Sequence, residues 1–193
     1  MPGVLKDKPT STQRGFPMST DTLTRYDMYH AAIPGSLRTL TNLRGLIEKA
    51  EAWAKEKNVD ESVVLNARLA LDMFPFVRQV QIATDTAKGM AARLAGAEVP
   101  SYEDTETTFA ELYDRIDKTI AFIKDFKPEQ FDGAESRDIV LTFRGNSTHL
   151  TGLNFLTVRA LPNLYFHTTA AYSILRHSGV PVGKNDFLGP NPQ

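Results

Sequence analysis

Apolar residues recur at steps of three and four along most of this chain. Between Tyr26 and Lys57, the positions Leu37, Leu40, Leu43, Ile47, Ala50 and Ala54 keep that spacing, which lays them along one face of a helix. Pro34 falls inside the pattern and predicts a kink or a late start, because proline has no backbone N–H to donate. Asp60 then reads as the N-cap of a short helix, ESVVLNARLAL, since its carboxylate can accept from first-turn amides. The most regular run is Met73, Phe76, Val80, Ala83, Ala87, Met90 and Leu94. It predicts a second long helix, with Asp72 as cap, Pro75 in its first turn and its end before Gly96. After SYEDTETTF, a third helix carries Phe109, Leu112, Ile116, Ile120 and Ile123. It stops before Lys127-Pro128, because a residue preceding proline avoids helical geometry.

The period then changes. RDIVLTFRGNSTHLTGLNF alternates apolar and polar residues around Arg144-Gly145-Asn146, which predicts a β-hairpin. Pro162 suits the first position of a fourth helix, LPNLYFHTTAAYSILRHSG, running to about His177 and ending at Gly179. VPVGKNDFLGPNPQ follows as an extended tail. Phe187 and Leu188 are its expected anchors, and Lys184 with Asp186 its expected salt bridge. These elements make an all-α fold, a four-helix bundle with a short β-hairpin before the last helix. One bundle domain is expected over residues 21–193. The proline- and glycine-punctuated residues 1–20 are expected to be a disordered tail; they lack the apolar core of a secretory signal.

Bulk properties narrow the partners. With 193 residues and 41% hydrophobic content the chain suits a single core. Its formal net charge of −1 gives no basic surface for nucleic acid or an anionic membrane. Cysteine is absent, so disulfides, thiolate metal sites and cysteine nucleophiles are excluded. No apolar run approaches the roughly 20 residues that span a bilayer, and a cytoplasmic protein is expected. The chain contains no G-x-x-x-x-G-K-[ST], G-x-S-x-G or H-E-x-x-H sequence, so nucleotide hydrolysis, serine-hydrolase chemistry and zincin proteolysis find no support.

The runs RLALDMFPFVRQVQIATDTAKG, ARLAGAEVPSYEDTETTF, LPNLYFHTTAAYSILRHSGV and GKNDFLG resemble the DinB/YfiT-like superfamily, and within it a branch that is a domain of unknown function. The resemblance covers the chain from about Tyr26 onward. It implies a divalent metal held by three histidines, one on the second helix and two in an H-x-x-x-H pair on the fourth. His167 falls at the second position of that pair and Asn163 at the first. The second helix contains no histidine, and an asparagine amide is a poor ligand for zinc or nickel. Neither a metal nor another cofactor is therefore expected.

Asn163 and His167 still share one helix face, and two readings follow. In the first, a small molecule binds between the second and fourth helices, in a binding protein or a metal-independent enzyme. His167 acts there as general acid/base or polar anchor. Asn163 and Gln79 orient the ligand, Asp72 biases the imidazole, and Tyr172 lines the cavity with Tyr165, Phe166, Phe74 and Phe76. The superfamily implies thiol-transfer or isomerase chemistry, but through a metal. In the second, the chain is a non-catalytic interaction protein, a homodimer using its first and third helices. Each residue also has a purely structural reading: Asp72 a helix cap, Gln79 a bonded core amide, His167 a core histidine paired with Asn163, Gln79 or a carbonyl.

Overall fold

A computed structural model describes residues 26–143 and 145–191. The tail expected over residues 1–20 lies outside them.

The first helix, α1 (Met28–Lys57), begins at Asp27, whose carboxylate accepts from the His30 N–H, and it continues through Pro34. Its inner face buries Ala32, Ile33, Leu40, Leu43, Leu46, Ile47, Ala50 and Ala54. Asp60 caps α2 as expected, but α2 spans only Glu61–Leu65. The remainder of ESVVLNARLAL turns away from helix and leaves Leu69 and Leu71 exposed.

The second long helix, α3 (Phe76–Ala95), starts later than its apolar stripe suggests. Pro75 is its N-cap residue and no side chain caps it; Asp72 lies in the preceding turn, exposed. The expected capping role of Asp72 is thus corrected. Three residues separate it from the first free amides, and Pro75 already presets the entry angle. Phe76, Val80, Ala83, Ala87, Met90 and Leu94 are all buried. Each of the larger ones contributes about 1.5–3 kcal/mol by leaving water. Helix α4 (Phe109–Lys124) opens on a capping box between Thr108 and Glu111.

After a 3₁₀ turn at Pro128–Phe131, strands β1 (Asp138–Phe143) and β2 (Asn146–Thr151) pair antiparallel, Phe143 opposite Asn146. Gly145 has φ +79°, a left-handed turn conformation that glycine adopts without strain. The chain then becomes helical ten residues earlier than Pro162 suggests. Thr151 caps α5 (Gly152–Asn154), a π-helical segment follows at Phe155–Ala160, and α6 (Leu161–His177) continues from it. The wider π turn accommodates a helix that carries proline, whose ring would crowd the carbonyl one α-turn back. Gly179, at φ +96°, ends α6.

The long helices α1, α3, α4 and α6 form the bundle, α3 packing along α6 and α4, and α1 along α4. The C-terminal segment forms a short helix, α7 (Lys184–Leu188), against α1. Asp186 pairs with Lys49 at 2.7 Å rather than with Lys184. Phe187 packs edge-on to Tyr172, whereas Leu188 is exposed and holds the segment by its carbonyl, which accepts from Arg38.

Candidate functional site

Where α3 runs against α6, two polar pairs bridge the helices. His167, only 8% exposed, places Nδ1 2.7 Å from Gln79 Oε1. The Gln79 amide nitrogen donates to the Phe74 carbonyl at 3.0 Å, which leaves its oxygen to accept. This assigns the proton to Nδ1 and the lone pair to Nε2. Burial lowers the His167 pKa, and the positive charge of Arg78 lowers it further, so the imidazole is neutral at neutral pH. One turn earlier on α6, the Asn163 amide donates to Thr86 Oγ1 at 2.7 Å. Asn163 and His167 share a helix face but are not bonded to each other; each reaches its own partner on α3.

Asn163 and Thr86 form part of the wall of a cavity of about 260 Å³. Asp85 and Arg93 complete the α3 side; Phe155, Arg159 and Ala160 come from the π-helical segment; Leu141 and Thr142 come from β1. The five-residue step from Phe155 to Ala160 is what brings Arg159, Ala160 and Asn163 to the cavity together. His167 and Gln79 do not line it. Asp72 makes no hydrogen bond or ion pair among the described residues, and Arg78 is instead the charge felt by the imidazole. Tyr172 is held against Phe187. Of the remaining histidines, His30 bonds Asp27, His149 bonds Asp138, and His177 is exposed in the last turn of α6.

A cluster that sequence reasoning missed lies between α3, α4 and the 96–108 connection. Arg115, its side chain 2% exposed, pairs with Glu106 at 2.9 Å, Asp85 at 2.9 Å and Asp104 at 3.0 Å. Its Nε also donates to Thr84 at 2.8 Å. Burial opposes the guanidinium charge, but Glu106, Asp85 and Asp104 outweigh it and raise the Arg115 pKa. Buried Lys88 joins Asp85 at 2.8 Å and lies 3.7 Å from the Tyr102 ring centre. Arg78 pairs with Asp104. The available signal was Arg115 beside Ile116 on the apolar stripe of α4, together with Asp85 and Lys88 flanking Ala87.

The donor set does not fit a three-histidine metal centre. No histidine stands on α3 and Asn163, whose amide is held by Thr86, takes the place of another, so His167 is the single histidine of the implied set of three. Among the described residues, no group of three His, Cys, Asp or Glu side chains is placed to hold a metal ion.

The first and third long helices, which the second reading assigns to a dimer surface, are α1 and α4. The outer faces of α1 and α4 carry Glu48, Lys49, Glu56, Glu111, Asp114, Asp117 and Lys118. Exposed apolar side chains gather instead on the loop before α3 and the outer face of α6: Leu69, Leu71, Phe74, Tyr165 and Phe166. A shallow apolar groove joins Leu69 and Met73 to Tyr165 and Phe166. No described helix is long and apolar enough to cross a membrane.

Comparison with known proteins places this geometry. The sequence profile of a family described as Domain of unknown function (DUF1993) matches residues 28–188. A solved structure similar to this chain is that of a DinB family member protein from Shewanella denitrificans. It is 45% identical, covers 86% of this chain and 94% of its own, and superimposes with a TM-score of 0.82. No curated protein matches.

Proposed function

The chain belongs to the DUF1993 family, of DinB-like fold and unknown function, and on that premise we propose that it binds a small molecule, without a metal, in the cleft between α3 and α6. The observation that carries this reading is the cavity itself. A concave site that combines apolar wall with convergent polar groups is the usual form of a ligand pocket, and here Asn163, Thr86, Thr142 and the charged Asp85, Arg93 and Arg159 surround a smaller apolar wall of Leu141, Phe155 and Ala160. Of the two roles considered for His167, the geometry favours the polar anchor over the general acid/base. The imidazole lines no part of the cavity, and its bond to Gln79 ties α6 to α3 one turn from Asn163. Asn163 is the ligand-orienting group; Gln79 acts through His167.

A fragment screen by protein-observed NMR tests the reading. Binders are expected to shift the Asn163 side-chain amide and to be lost in Asn163→Leu while its melting temperature stays near that of the wild type. A screen in which no fragment moves that amide rejects the pocket.

The exposed apolar face favours a second reading, a non-catalytic homodimer. Leu69 and Phe166 line the apolar groove, and the exposed Leu71 and Phe74 belong to the same loop as Leu69; exposed apolar surface of this kind marks interaction sites. Sedimentation should then show a dimer that Phe74→Ser with Phe166→Ser converts to monomer; a wild-type monomer at high concentration refutes it.

A further inference from the structure

We propose that this cavity takes a small organic anion, a carboxylate or phosphate ester with an apolar body, whose oxygens are held by Arg93 and Arg159. The proposal deepens the small-molecule reading above and rests on it.

The first argument is charge accounting. Three cations and three carboxylates fill the neighbouring cluster: Arg115, Lys88 and Arg78 with Glu106, Asp85 and Asp104. Asp85 is the one carboxylate among the described residues of the cavity wall, and it is already held by Lys88 at 2.8 Å and Arg115 at 2.9 Å. The side chains of Arg93 and Arg159, on the same cavity, have no carboxylate partner and no hydrogen bond among the described residues. The cavity therefore presents two guanidinium groups without a counter-charge. For half-buried Arg93 that is costly unless something anionic meets it, whereas Arg159 is exposed and open to a ligand.

The second argument is local construction. Arg93 is half-buried, and burial alone lowers its pKa, yet a guanidinium stays charged at neutral pH. Its Nη1 lies over Gly89, where a methyl group would collide with it. The glycine four residues back on α3 thus leaves room for the guanidinium to fold along the helix toward the cavity. Arg159 is brought round by the π turn. Planar guanidinium forks suit carboxylate and phosphate oxygens.

The rest of the wall sets the body of the ligand. Leu141, Phe155 and Ala160 are apolar. Thr86 accepts from Asn163, so its own hydroxyl proton is left to donate. At about 260 Å³, the space lies below the roughly 300–1,000 Å³ of drug-sized pockets. A single ring or short chain with one anionic head is the matching size.

The test titrates the full chain, at neutral pH and low salt, with benzoate, phenyl phosphate and neutral benzamide, read by NMR at the Asn163 side-chain amide. One or both anions should bind, with benzamide weaker by about tenfold or more, the worth of one charge-assisted hydrogen bond. Whichever anion binds more tightly names the head group. Arg93→Gln and the exposed Arg159→Gln should each weaken anion binding by a similar factor and leave benzamide unchanged. If Arg93→Gln unfolds, Arg159→Gln carries the test. Benzamide binding as tightly as the anions, unaffected by either variant, overturns the anion inference and leaves the pocket standing. If none of the three moves the amide, the anion inference fails, and the fragment screen decides separately whether the pocket does.

Discussion

Replacing Arg115 by methionine tests whether the buried charge cluster holds the 96–108 connection onto the bundle. The variant keeps the aliphatic bulk and deletes the guanidinium, and with it the contacts to Thr84, Glu106, Asp85 and Asp104 at 2.8–3.0 Å and to the Glu103 carbonyl at 2.9 Å. Breaking a buried ion pair from one side costs about 3–5 kcal/mol, because the partner charge stays behind. Several features pull the value to the lower end. Glu106 keeps the Gln81 amide at 2.8 Å, Asp85 keeps Lys88 at 2.8 Å, and Asp104 keeps Arg78. Asp85, 37% exposed in its side chain, is also partly solvated, which discounts its share further. A loss of about 3 kcal/mol is expected, which for a chain of this size is a drop of about 6–12 °C in melting temperature. Urea denaturation followed by circular dichroism measures it. A double-mutant cycle with Glu106→Gln should show a coupling above about 1 kcal/mol, as residues sharing one network do. A loss below about 1 kcal/mol, the range of surface pairs, with no coupling, would refute the reasoning and make the cluster an ordinary solvated one.

Two further outcomes follow from the geometry. His167 has a folded pKa below its ordinary 6.5, so the unfolded chain takes up the proton first. The stability it contributes is complete above about pH 6.5 and falls as the pH drops toward the folded value. Melting temperatures from pH 8 to pH 5 should therefore decline more steeply for the wild type than for His167→Gln, and parallel curves would reject a buried neutral imidazole. Gly152 sits with its α-carbon against the Ala134 carbonyl, where an added methyl would overlap the oxygen. Gly152→Ala should cost more than about 2 kcal/mol by forcing backbone apart; an unchanged urea midpoint would show that the junction between hairpin and α5 yields freely.

Much of the fold was legible because it is written in apolar spacing. The α3 stripe and the α4 stripe are buried nearly as the pattern requires, and the Phe143–Asn146 turn falls where the alternation breaks. The errors arose where a local signal competed with a longer-range one. Asp72 looks like a cap, but Pro75 sets the helix start. Pro162 looks like a first residue, but the π turn before it carries the helix through. Asp186 and Lys184 are close in sequence, yet Lys49 is closer in space. At the site, the seam of α3 and α6 was legible from Gln79, Asn163 and His167; Gln79 was one of three partners the sequence offered for His167, and the pairing of Thr86 with Asn163 was not legible. Periodicity gives the face of a helix and leaves open its axial offset against a neighbour.

The same limit hid the link between the charge cluster and the cavity, which is Asp85. Its carboxylate is shared between Lys88 and Arg115 on one side and lines the cavity on the other. Were those two cations absent, Asp85 would be the natural partner for a cavity arginine, and an anion would be repelled rather than held. Because they neutralise it, the field inside the cavity is that of Arg93 and Arg159. The cluster thus couples to binding through charge without touching a ligand. Arg115→Met, which frees part of the Asp85 charge, should weaken benzoate or phenyl phosphate binding even under conditions where the variant is fully folded, while benzamide is unaffected.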